Sequence, residues 1–86
     1  MEIKQNPEAI YTELEGKIII LEAEKGEILT FNETASFIWR KSKRTIEVKK
    51  LIDELCREFK VEKKVAAKDV QGLVKSLIRR GLFLKA

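Results

Sequence analysis

The chain has 86 residues and a mass of 10.0 kDa, which is enough for one small domain with a thin hydrophobic core. It contains no histidine and one cysteine, which excludes histidine-based acid–base catalysis, an intrachain disulfide and the usual zinc clusters. No apolar run approaches the roughly 20 residues of a membrane span. With no glycine-rich phosphate motif either, the sequence favours a binding module over an enzyme, and neither a cofactor nor a metal is expected.

Charge is unevenly distributed along the chain. Residues 1–38 carry three lysines against eight glutamates, whereas residues 39–86 carry fifteen lysines and arginines against six acidic residues. The two parts therefore have net charges of −5 and +9 within the overall +4. A basic C-terminal half predicts an acidic partner such as nucleic acid, anionic lipid or an acidic peptide; the alternative is a solvated surface rich in lysine and glutamate. No signal-peptide pattern is present, and we expect a cytoplasmic protein.

The N-terminal part predicts a flexible segment followed by a strand. Residues 1–8 are expected to be flexible, because Asn6-Pro7 interrupts regular structure and no apolar run precedes it. Residues 10–15 alternate in polarity, which predicts a half-buried strand with Ile10, Thr12 and Leu14 on one side.

Two further strands complete a predicted meander. Residues 17–23 contain a run of aliphatic side chains, which is typical of a strand covered on both faces. Turns at Glu15-Gly16 and around Gly26 separate it from its neighbours, and residues 28–31 form the third strand. Because this strand ends the meander, one of its sides is predicted to be an unpaired edge.

Three helices follow. Asn32 is a suitable N-cap for a helix over residues 33–42, and periodic apolar residues predict further helices over 46–59 and 63–80. The apolar tail Leu82-Phe83-Leu84 is expected to pack back onto the core. The predicted fold is a single α+β domain over residues 1–86: a three-stranded antiparallel β-meander followed by three helices, similar to a winged helix-turn-helix.

The third predicted helix carries a line of short side chains. Val65, Asp69, Gly72 and Ser76 follow one another at helical spacing. Glycine inside a helix lowers the stability of the helix by about 1 kcal/mol relative to alanine, so the presence of Gly72 calls for a structural or functional explanation. One interpretation is a shallow groove that another backbone approaches closely; the other is that Gly72 permits tight packing within the domain. Long basic side chains surround the line: Lys64, Lys68, Lys75, Arg79 and Arg80.

The unpaired strand is predicted to form the other side of this groove. Residues 28–31 contain no proline, and the nearest charge is Glu27. An uncovered edge can pair with a guest strand. Such a guest would gain main-chain hydrogen bonds from the strand and side-chain contacts from the third helix.

Three motifs resemble those of PqqD-like proteins. Residues 29–39 (LTFNETASFIW) are similar to the family's L-N-x-T-A…I-W signature, with Phe31 in place of the usual leucine. Residues 44–47 (RTIE) resemble the R-T-V-x-E-I opening of the second helix, and residues 69–82 resemble the D-V…L…L…G-L ending. In that ending, Gly72 stands where the family has a bulky apolar residue.

The resemblance implies a non-catalytic adaptor, the recognition element for precursors of ribosomally synthesised and modified peptides. Such domains bind the leader segment of a precursor as an added strand in the cleft between the third strand and the third helix. They deliver it to a modifying enzyme, which is a radical SAM enzyme or, in lasso-peptide pathways, a leader protease and a cyclase. The implied peptide-binding residues are Glu27, Ile28, Leu29, Thr30 and Phe31 on the strand, and Val65, Lys68, Asp69, Gly72, Leu73 and Ser76 on the helix.

Two other classes of function stay open. A DNA-binding winged helix would use the basic third helix for recognition, but its hairpin would then carry Glu22, Glu24 and Glu27 towards phosphate. The helix also offers few side chains suited to reading bases, so nucleic acid is the less favoured partner. The second class is an interaction domain of some other complex. We expect a monomer or weak dimer that does not bind membranes.

Overall fold

Six short strands and three helices make up the chain, and the computed structural model describes all 86 residues, Met1–Ala86. The elements in chain order are β1 (Glu2–Gln5), β2 (Ile10–Leu14), β3 (Lys17–Glu22), β4 (Glu27–Thr30), α1 (Glu33–Lys41), β5 (Ile46–Glu47), α2 (Val48–Phe59), α3 (Lys63–Arg79) and β6 (Phe83–Lys85). The predicted α+β fold, a three-stranded meander followed by three helices, is confirmed. A second small sheet adds to it.

The meander β2–β3–β4 is antiparallel throughout, with β3 in the centre. Its first turn places Glu15 and Gly16 at φ 52° and 81°, the positive values that a tight two-residue hairpin turn requires. Leu14 consequently pairs with Lys17. This turn sets the register of the two strands, and with it the face on which each side chain lies.

Only one face of the meander is covered. Ile18 and Ile20 of β3 are fully buried, whereas Leu21 is 43% exposed, so the prediction that β3 is covered on both faces was wrong. The predicted half-burial of β2 was also wrong, since every residue of that strand is exposed, Ile10 and Leu14 by 57% and 60%. Alternation in a sequence separates the two faces of a strand but does not indicate whether anything packs on either.

The second sheet corrects the expectation for the N-terminus. Residues 2–5 form its central strand, β1, between β5 and β6. Ile3 is fully buried, and the side-chain amide of Gln5 donates a 2.6 Å hydrogen bond to the carbonyl of Trp39. The segment is ordered because strands from distant parts of the chain pair with it. The predicted break at Asn6-Pro7 is where β1 ends.

The helices begin and end close to their predicted positions. The Asn32 side chain accepts a 2.8 Å hydrogen bond from the amide of Ala35, which confirms it as the N-cap of α1. α2 begins at Val48 rather than 46, because the two preceding residues extend the small sheet as β5. Gly81, at φ 76°, ends the last turn after α3.

Trp39 lies at the centre of the core and is fully buried. Phe83 of β6 stacks on its ring at 5.5 Å between centroids, which confirms that the C-terminal tail packs back onto the core. Tyr11 and Phe31 meet the same ring edge-on at 5.2 and 6.0 Å. The tryptophan therefore joins α1 to both sheets.

Candidate functional site

The open edge of β4 is the first part of the candidate site. β4 pairs only with β3, and the amide of Phe31 donates a 2.8 Å hydrogen bond to the carbonyl of Ile18. Because main-chain groups alternate in direction along an antiparallel strand, those of Leu29 also point towards β3. The amides and carbonyls of Ile28 and Thr30 then point away from the sheet. This edge offers two donors and two acceptors to another strand.

The side chains of β4 divide between the two faces of the sheet. Leu29 pairs with the buried Ile20 and packs partly against the core, while Ile28 pairs with Leu21 and is 66% exposed. Phe31, just beyond the strand, is buried. Of the five strand residues implied by the resemblance, Phe31 is therefore a core residue, and the other four lie along the open edge.

A row of aliphatic side chains crosses the outer face of the meander. Ile10, Leu21 and Ile28 are cross-strand neighbours on three adjacent strands, and each is more than two-fifths exposed. The sequence pattern did not reveal this row, because the apolar side of β2 was expected to face the core. The signal available was the pairing of Ile10 with Leu21 that the short turn at Glu15-Gly16 dictates.

Arg80 ties the end of α3 to the β3–β4 hairpin. Its Nη1 atom lies 2.6 Å from Oε1 of Glu22, which is 8% exposed, and 4.0 Å from Oε1 of Glu27. The C-terminal end of α3 therefore lies beside the start of β4. No local pattern signals this pairing, since Arg80 and Glu22 are 58 residues apart.

One flank of α3 faces the same way as Arg80. Asp69, Leu73 and Ser76 precede Arg80 by eleven, seven and four residues, spacings that place all four on one side of a helix. Leu73 and Ser76 are half-buried and Asp69 is exposed. We name these four residues the cleft flank. Together with the open edge of β4 they define a candidate cleft.

Of the other predicted helix residues, Lys68 lies away from this flank, and Gly72 lies at its border, three residues after Asp69 and four before Ser76. Lys68 and Gly72 line a separate groove, which α3 forms with the beginning of α2. A Cβ atom at Gly72 would meet no atom within 4 Å, so the interpretation that Gly72 permits tight packing within the domain was wrong. Val65, in the first turns of α3, is 48% exposed and lies on the solvent side. The structure thus divides the line of short side chains between two surfaces.

The structure contains neither a cluster of metal-binding side chains nor a membrane-spanning helix. No three His, Cys, Asp or Glu side chains lie close enough together to hold a metal ion. None of the three helices has the length and apolarity needed to cross a bilayer.

The fold and the open edge define a small α+β binding domain with an unpaired strand beside a helix. The family model described as coenzyme PQQ synthesis protein D (PqqD) matches residues 17–82, and the chain belongs to this PqqD family. No curated protein matches the sequence.

Two solved structures share the whole fold. One is described as lasso peptide synthetase B1 complexed with the leader peptide; it is 26% identical, with a TM-score of 0.81 over 98% of this chain and 99% of that chain. The other is TbiB1 in complex with the TbiA(beta) leader peptide, at 16% identity and a TM-score of 0.81 over 93% of each chain. The second likeness bears on the fold alone.

Proposed function

We propose that this protein is a non-catalytic recognition element that binds the leader segment of a ribosomally made precursor peptide as an added strand on β4. The observation that carries the proposal is the open edge, where the main-chain groups of Ile28 and Thr30 have no partner strand. Membership of the PqqD family and the likeness to the leader-bound lasso peptide synthetase B1 support it.

The cleft flank of α3 supplies side-chain contacts to such a strand. Successive residues of a bound strand point to opposite faces, so every second leader side chain faces inward, towards Leu29 and Leu73. Both leucines are half-buried and leave some apolar surface for the guest. Main-chain hydrogen bonds then provide affinity for any extended peptide, and apolar residues at alternate positions provide selectivity.

The ion pair of Arg80 with Glu22 links the two sides of the cleft at one end. It fastens the C-terminal end of α3 to the hairpin whose second strand is the open edge. A preformed cleft reduces the entropy lost on binding, because neither side has to be ordered by the peptide. We place the peptide-binding residues on Glu27, Ile28, Leu29 and Thr30 of the strand and on Asp69, Leu73 and Ser76 of the helix.

The protein acts by raising the local concentration of the precursor peptide near the modifying enzyme. Holding the leader places the segment to be modified near the enzyme, so the reaction becomes nearly intramolecular, and linked sites of this kind gain effective concentrations of the order of mM. The recognition element then has no need of catalytic groups of its own. Both proposed enzyme classes, radical SAM enzymes and the leader protease and cyclase of lasso pathways, suit this role. The relative described as lasso peptide synthetase B1 favours the latter.

The test is a proline substitution on each edge of the meander. Thr30→Pro removes an outward amide from β4, whereas Glu13→Pro removes an outward amide from β2, the opposite edge strand. Fluorescence polarisation with the labelled leader of the precursor encoded beside this gene should show at least tenfold weaker binding to Thr30→Pro. Binding to Glu13→Pro should change less than twofold.

Circular dichroism checks that both variants remain folded. A folded Thr30→Pro variant with unchanged leader affinity would place the site elsewhere. An unrelated DNA duplex serves as the second probe, and duplex binding in the absence of leader binding would favour the DNA-binding alternative.

A further inference from the structure

A second groove lies on the other flank of α3, away from β4. It has a volume of about 880 Å³ and runs between α3 and the start of α2. Lys68, Gln71, Lys75 and Ile78 of α3 line it at helical spacing, and we name these four residues the groove flank. Val48 and Ile52 of α2 contribute aliphatic surface to its floor. The leader cleft and this groove therefore share α3 but not a surface.

The groove is strongly basic. Four lysines from three different elements line it: Lys49 of α2, Lys68 and Lys75 of α3, and Lys85 of β6. All four are exposed, and none takes part in an ion pair. The one acidic residue in the lining, Glu47, is 3.0 Å from the amino group of Met1 and is already paired.

This arrangement differs from an ordinary solvated surface. Elsewhere, two exposed lysines have acidic partners, Lys41 with Glu54 at 3.1 Å and Lys63 with Asp53 at 3.6 Å, and other lysines stand singly. The groove differs because it gathers four lysines without ion pairs on one surface. Like charges that converge on one groove repel one another and build a positive potential, and the single acidic side chain in the lining, Glu47, is already paired. A negatively charged occupant relieves that repulsion.

The shape of the groove favours a peptide over a phosphate backbone. The floor is aliphatic, with Val48, Ile52 and Ile78 beneath the charged rim, so an occupant gains from apolar side chains as well as from negative charge. Gly72 at the border adds no side chain, which leaves room for another backbone. An amphipathic helix with apolar residues on one side and acidic residues beside them matches both features.

We propose that this basic groove docks an acidic, amphipathic segment of the peptide-modifying enzyme while the leader occupies the β4 cleft. The inference rests on the proposed function, because it assigns the enzyme as the partner. Since the two sites lie on opposite flanks of α3, both can be occupied at once. The domain then holds enzyme and precursor together through two independent contacts.

The test compares two double charge reversals with equal changes in net charge. Lys68→Glu/Lys75→Glu alters the groove, and Lys43→Glu/Lys60→Glu alters exposed lysines outside it. Each full-length variant is titrated with the purified modifying enzymes encoded beside this gene. A synthetic helical peptide of glutamate and leucine is used as a competitor, with its scrambled form as control.

The groove reversal should weaken enzyme binding at least tenfold, and the control reversal less than threefold. The helical peptide, but not its scrambled form, should compete. The assignment would be overturned if both variants lost the same amount of enzyme affinity, or if the groove reversal left enzyme affinity unchanged. It would also be overturned if the helical peptide did not compete with the enzyme. A preference of the groove for a DNA duplex or phosphatidylserine vesicles over the helical peptide would also overturn it.

Leader titration in the same variants separates the two proposals. The groove reversal should leave leader affinity within twofold of the original value. If the leader fails to bind any form while the enzyme still responds to the groove reversal, the proposed function fails and the groove assignment stands.

Discussion

The cleft flank and the groove flank of α3 each consist of four residues at helical spacing, but their side chains differ in charge and in burial. The cleft flank has one exposed acidic residue, two half-buried side chains and an arginine already bonded to Glu22. The groove flank has two lysines without ionic partners above an aliphatic floor. The first suits an extended peptide held by main-chain hydrogen bonds, and the second suits an acidic side-chain surface. A single helix can therefore serve two partners.

The largest effect on stability is expected from breaking the link at the end of the cleft flank. Arg80→Ala leaves the carboxylate of Glu22 buried without a partner and should lower the free energy of unfolding by about 2 kcal/mol. Glu22→Ala should cost less, about 1 kcal/mol, because the side chain of Arg80 is 34% exposed and can be hydrated. Urea unfolding measures both. Equal costs would indicate that the burial of Glu22 does not determine the effect.

A matched pair of truncations separates the flanks directly. Leu73 and Ile78 are both half-buried aliphatic residues packed against the core, one on each flank. Leu73→Ala should weaken leader binding about tenfold, or about 1.4 kcal/mol, while Ile78→Ala should leave it unchanged. Titration of the labelled leader checks this. If both variants bind the leader equally well, the cleft does not include the helix.

The smallest effects are expected at Gly72. Because a Cβ atom meets nothing there, Gly72→Ala should raise the free energy of unfolding by about 1 kcal/mol through helix propensity alone. Gly72→Trp should leave leader affinity within twofold, since Gly72 lines the groove. A tenfold loss of leader affinity in the tryptophan variant would indicate that Gly72 belongs to the leader-binding site, as the family resemblance implies.

Local signals were sufficient for most of the fold. Asn32 marked the start of α1, Gly81 the end of the last helix, and the Glu15-Gly16 turn the register of β2 with β3. Each of these features depends on residues near one another in the chain. The third strand and its open edge followed from the same kind of pattern.

Long-range pairing accounts for what the sequence did not reveal. β1 is a strand because residues around 46 and 84 pair with it, and no segment near Ile3 indicates that. The line Val65, Asp69, Gly72 and Ser76 was found correctly as a helical line. Its assignment to the leader-binding groove stays a prediction, because the spacing of a helix does not identify the elements on each side of it. The elements beside α3 are the hairpin that contains Glu22 and the start of α2, and both are remote from α3 in the sequence.

Trp39 gives the molecule a built-in optical reporter. It is the one tryptophan of the chain, it is fully buried, and its indole nitrogen has no hydrogen-bond partner, so its fluorescence emission should lie at short wavelength in the folded state. Its ring touches Phe83 in one sheet and Tyr11 in the other, and also Phe31 immediately after the open edge. A change in its emission therefore reports whether the two sheets are packed together, and no attached label is needed.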